Sequence, residues 1–72
     1  MNHDISKFTQ ALLDMDRIKV RGIVQEMTQD MPFMQFLDQI LVPSLERIGT
    51  LWEEGSVALS QVYMSGRLSE EI

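Results

Sequence analysis

The chain has no cysteine. Neither a disulfide framework nor a thiolate zinc site is therefore open to it. Histidine occurs once, as His3 near one end, and a metal site needs several rigidly held ligands. Two prolines and four glycines are too few for a disordered composition. No apolar run approaches the roughly 18 residues of a membrane span. The opening residues, among them Asn2, His3, Asp4 and Ser6, lack the apolar core of a secretory signal. A cytoplasmic location is the resulting expectation. Basic residues are also scarce, six against eleven acidic ones, for a formal net charge of -5. Without a basic cluster to meet phosphates, binding to a nucleic acid backbone is not expected. Ser56, Ser60 and Ser65 have no histidine partner for a nucleophilic triad, and no glycine-rich phosphate loop is present. Glu53 and Glu54 are adjacent, so on a helix they diverge rather than pair. No residue set in these 72 positions supports catalysis.

What is present is helical periodicity. A chain of 72 residues, 44% hydrophobic, has room for one core and buries only about 60% of its unfolded surface. Ile5, Phe8, Leu12 and Met15 recur every three or four residues and predict a first helix over 5–13, with Asp4 placed to receive a first-turn amide. Asp16 is a natural N-cap for a second helix over 16–30, with Val20, Ile23, Val24, Met27 and Met31 as its apolar stripe. Gly22 inside it suggests a close helix contact or nothing more than chance. Pro32 separates the second helix from a third over 33–54, striped by Phe33, Phe36, Leu37, Ile40, Leu41, Leu45, Ile48, Leu51 and Trp52. Pro43 falls inside the third helix and predicts a kink near residues 39 to 43. Gly55 suits a left-handed C-cap. A fourth helix over 59–72 carries Leu59, Val62, Tyr63 and Gly66 on one side, and no strand pattern competes. The expected fold is all-α, a four-helix bundle joined by short links. Trp52 reads as a core plug, Gly49 and Gly66 as close-packing positions, and Met15, Met27 and Met31 as inward gap fillers.

The stretch from Leu41 to Arg67, LVPSLERIGTLWEEGSVALSQVYMSGR, carries more than periodicity. Pro43 in an apolar helix is followed by Ile48-Gly49, then Trp52, Glu53 and Gly55. Leu59 and Gln61 come next, opening a helix with the small residue Ser65. In this order they resemble the helical N-terminal domain of cobalamin-dependent methyltransferase corrinoid proteins, which is similar to the cap domain of cobalamin-dependent methionine synthase. Asp16 matches the family's usual start of its second helix, so the likeness covers nearly the whole chain. Three positions depart from the family pattern. Ser60 stands where many relatives have proline, and Ala58 where methionine synthase-like caps place a phenylalanine against the corrin. Val62-Tyr63 stands where the light-sensing branch has a Glu-His pair that bears on cobalt.

The resemblance implies a non-catalytic cap that shields the upper corrin face of a methyl-carrier protein. Leu59, Val62, Tyr63 and Ser65 are then the candidate cofactor contacts, with no metal ligand from this domain. Leu59 and Val62 read equally as bundle core. The family's main cobalamin site lies in a following α/β domain that is not among these residues. The expectation is that the chain is the front part of a longer protein. Its implied partners are that domain, a substrate-specific methyltransferase and an acceptor methyltransferase. The competing reading is a free-standing interaction module that forms a homodimer through Phe33, Phe36, Leu37 and Tyr63, without a cofactor.

Overall fold

The computed structural model describes residues 3–72. It contains α1 (His3–Leu13), α2 (Arg17–Met27), α3 (Phe33–Phe36), a π-helical turn (Leu37–Leu41), α4 (Val42–Glu53) and α5 (Leu59–Glu70). Since α3, the π turn and α4 run on without a break, the architecture is an all-α bundle of four helices. No helix among the described residues is long and apolar enough to cross a membrane. The second helix stops at Met27 rather than residue 30, because Thr28, Gln29 and Asp30 form turns on α2's final carbonyls.

The core centres on α1. Phe8, Ala11 and Leu12 have no exposed surface, and Val20, Ile23, Met27, Phe36, Ile40, Ile48 and Leu68 close around them. Phe8 meets Phe36 edge to face at 5.3 Å between ring centroids, the arrangement an aromatic quadrupole prefers. Two serines are buried with these side chains: Ser44 on α4 and Ser65 on α5. Each satisfies its hydroxyl on a helix carbonyl. Ser65 donates to Gln61 O at 2.7 Å and Ser44 to Ile5 O at 3.4 Å.

Small serines, and not glycines, therefore occupy the tight positions. A Cβ added at Gly22, Gly49 or Gly66 would meet nothing within 4 Å. The close-packing role expected of Gly49 and Gly66 is thus overturned, and Gly22 has no helix contact to explain it.

The turns follow local chemistry. At the end of α1, Met15 N donates to Leu12 O and Asp16 N to Ala11 O, a Schellman arrangement that needs a left-handed residue between them. That residue is Met15, at φ 55°. Left-handed backbone draws the methionine out of the first-helix stripe, and it is 46% exposed instead of filling the core. Asp16 then caps α2 by accepting Lys19 N at 3.0 Å. The same motif ends α4. Gly55 at φ 79° sits between Gly55 N to Trp52 O (3.0 Å) and Ser56 N to Leu51 O (2.8 Å).

Pro43 does not break the third helix. Its missing amide and its ring would strain an α-helical turn against Gln39. The chain widens to the π turn just upstream, where Val42 N reaches Leu37 O, and the helix continues to Glu53.

Methionine pays a steric cost at a left-handed position, roughly 1–2 kcal/mol. Replacing Met15 by glycine relieves it while removing a side chain that is half outside, and glycine's own entropy cost takes back part of the gain. Met15→Gly is expected to raise unfolding stability by about 0.5–1 kcal/mol in urea titration. A loss of stability would show that the Met15 side chain contributes more than the strain costs.

Candidate functional site

The exposed apolar side chains near the α4–α5 connection are the first candidates. Trp52 lies in the last turn of α4 and is 48% exposed, so it is not the core plug that its place in the stripe suggested. The helix ends one residue later, at Glu53, and Gly55 turns the chain away. On α5, Leu59, Val62, Tyr63 and Gly66 follow at spacings of three and four, which sets them along one side of the helix. Leu59 is 65% and Tyr63 60% exposed, whereas Val62 is half-buried and packs against the core. Leu59 is thus a surface residue, and its bundle-core reading falls away. Ser65 points the other way. It is 1% exposed and bonded within its own helix, so its side chain is not available to a ligand.

Gln61 holds this corner in place. Its side-chain oxygen accepts Ala58 N at 2.8 Å, capping an otherwise uncapped first turn of α5. Its amide nitrogen donates to Leu13 O at 3.3 Å, one of the orphan carbonyls at the end of α1. One side chain therefore ties the start of α5 to the end of α1. A primary amide accepts at its oxygen and donates at its nitrogen, so one side chain makes both bonds. Sequence reasoning marked Gln61 as part of a motif but not as this strap, because its second partner lies 48 residues away.

The chemistry of the corner is that of a cover. Among the described residues no group of three or more His, Cys, Asp or Glu could hold a metal ion. Leu59, Trp52 and Tyr63 offer apolar and aromatic area with one phenol, to which Arg67 donates at 3.5 Å. Together they form a surface that is mostly apolar and aromatic.

A second feature escaped the sequence reading altogether. Arg17 at the start of α2 grips Glu71 just beyond α5 with two bonds, Nε to Oε1 at 2.6 Å and Nη2 to Oε2 at 2.8 Å. Hydrogen bonds from Arg17 hold the Glu71 carboxyl below the ordinary glutamate range, aided by the charges of Arg17, Arg21 and Arg67 and opposed by partial desolvation. The same bonds push the Arg17 guanidinium up. The two residues are 54 positions apart, and no local spacing could have announced them.

The dimer set is not a surface either. Phe36 has no exposed area and Leu37 packs on the core, which leaves only Phe33 and Tyr63 outside.

Two stability measurements test these contacts. Gln61→Ala removes both ends of the strap and should cost about 1–2 kcal/mol in urea unfolding. A double-mutant cycle with Arg17→Ala and Glu71→Gln should show favourable coupling at neutral pH. Because the folded Glu71 pKa is depressed, that coupling is complete above the ordinary glutamate range and disappears as pH falls through the lower, folded value. A coupling that persists unchanged in acid would contradict the assignment.

The model of a family described as B12 binding domain matches residues 5–72. No curated protein matches the chain. No solved structure matches it.

Proposed function

The chain belongs to the B12 binding domain family, and from that premise we propose that the α4–α5 corner is the surface laid against the corrin. The domain is a helical, cobalamin-binding cap of the corrinoid methyl-carrier type, and it binds rather than catalyses. When bound, the corrinoid supplies the methyl-carrying chemistry.

The observation that carries the reading is the outward display of Leu59 and Tyr63 at 65% and 60% exposure, on a helix whose start Gln61 pins to α1. Large apolar side chains held rigidly at a surface favour contact with an apolar partner, since little freedom is lost on binding. Val62 supports them from behind. Trp52 adds an aromatic face at the end of α4, which matters because Ala58 leaves the neighbouring position without one. Ser65 drops out of the contact set and serves the core. Covering the cofactor in this way excludes water and unwanted reactants.

The rest of the machinery follows from the same reading. A corrinoid-binding α/β domain would hold the cofactor from the other side, in a longer protein. A substrate-specific and an acceptor methyltransferase would exchange with this cap for access. A cytoplasmic setting is consistent with that arrangement.

Gel filtration with hydroxocobalamin or methylcobalamin tests the surface directly. The chain should carry corrinoid absorbance with it, and Leu59→Asp or Tyr63→Asp should weaken retention at least about tenfold. Ile18→Asp, a change at an 84% exposed apolar residue on α2, should leave retention unaltered. No retained corrinoid at high micromolar protein, or equal loss in all three variants, sinks the proposal.

A further inference from the structure

A cleft of about 220 Å³ opens between α2 and the end of α5, with Arg17, Arg21 and Glu71 among its lining residues. It shares no residue with the corner formed by Trp52, Leu59, Val62 and Tyr63. Its floor is aliphatic: Val20 and Leu68 belong to the buried core, and Val24 and Ile72 pack against it. Its rim is cationic. The chain has only six basic residues and a net charge of -5, yet Arg17, Arg21 and Arg67 all act on the single carboxylate of Glu71. Glu70 also meets Arg67, at 4.0 Å, so the local balance is three positive charges against two negative ones, opposite in sign to the chain as a whole. Arg21 takes part in none of the ion pairs among the described residues.

We propose that this cleft binds a small organic carboxylate with an apolar tail, the carboxylate on the Arg17–Arg21 rim and the tail on Val20, Val24, Leu68 and Ile72. Three features carry the assignment. A guanidinium fork matches a carboxylate bidentately, and Arg17 already holds one in that geometry, with Glu71 as the internal occupant. Arg21 adds a second guanidinium with no partner to give up. The volume sets the size of the tail. A cavity of roughly 150 Å³ accepts benzene, so this cleft suits a ring or a chain of about six carbons. Phosphate or acetate alone would leave the aliphatic floor wet. Glu71 sets the affinity, since an arriving carboxylate competes with it for Arg17. It also lines the neighbouring shallow cavity with Arg17, Tyr63, Met64 and Arg67, so a displaced Glu71 side chain has space and positive charge to move into. This proposal does not depend on the corrin reading of the corner.

Methyl-resolved NMR titration of the 72-residue chain tests it, with hexanoate as the probe. Acetate serves as the tail-less control and 1-hexanol as the uncharged one. Hexanoate should shift the methyls of Val20, Val24, Leu68 and Ile72 saturably, with a dissociation constant in the low millimolar range expected of so small a ligand. Acetate and hexanol should each bind at least about fivefold more weakly. Arg21→Gln should weaken hexanoate about tenfold. Glu71→Gln should strengthen it severalfold, because the internal competitor is gone. Both substitutions are at exposed positions, where loss of a surface ion pair changes stability little. The proposal is overturned by any of three results: no saturable shift at about 20 mM hexanoate, hexanol binding as well as hexanoate, or shifts confined to the Met64 methyl. A Glu71→Gln variant that binds hexanoate more weakly would also overturn it, by making Glu71 a support rather than a competitor.

Discussion

The burial of α1 is the constraint on which the rest of this domain depends. A chain of this length has one core, and α1 lies at its centre, in contact with α2, the π turn, α4 and α5. Phe8, Ala11 and Leu12 are fully enclosed, and the Phe8–Phe36 edge contact joins the first helix to the third. With the apolar side of α1 used up in this way, each outer helix has one buried side and one free side. The free side of α5 is therefore available for a partner, and its orientation is fixed by the packing beneath it. A rigid platform with an unpaired apolar side is what a cofactor cap requires.

The connections turn that platform into a defined surface. Between α4 and α5 only residues 54–58 intervene. The Schellman bonds around Gly55 set the exit from α4, and Gln61 sets the entry to α5 while holding it to α1. Trp52 and Leu59, on either side of this link, are placed by backbone hydrogen bonding and one amide side chain rather than by their own contacts. That leaves two large apolar residues exposed on either side of a short link. The buried serines contribute at the other face. Ser44 and Ser65 keep helix surfaces close while each satisfies its hydroxyl on a carbonyl, and no buried side-chain polar atom among the described residues is left without a partner.

Electrostatics divide the molecule in a way the net charge conceals. Acidic residues predominate overall, but arginines from α2 and α5 converge where the two helices meet near Glu71. The other ion pairs, such as Lys7 with Glu26 at 3.1 Å, are solvent-exposed and worth little. The domain thus presents two chemically distinct places: an apolar and aromatic corner at the start of α5, and an arginine-rimmed aliphatic cleft at its end.

Local signals in the sequence determined the helices and their punctuation. Asp16 caps α2, Pro32 precedes the third helix at its N-cap and Gly55 closes α4, because capping and left-handed turns involve residues only a few positions apart. Most of the periodic apolar stripes were legible for the same reason, as were the ordered residues from Pro43 to Ser65 that pointed to a corrinoid cap. Only tertiary structure decided which members of a stripe lie inside. Trp52 and Phe33 share a stripe with Ile48 and Phe36, yet the first pair faces solvent and the second is buried. Periodicity gives the direction of a side chain on its helix but not where the neighbouring helix ends. The serines in place of glycines, the strap from Gln61 to Leu13 and the clamp from Arg17 to Glu71 belong to the same class. Each depends on where distant segments meet, and that follows from packing four helices around α1, not from the order of residues along any one of them.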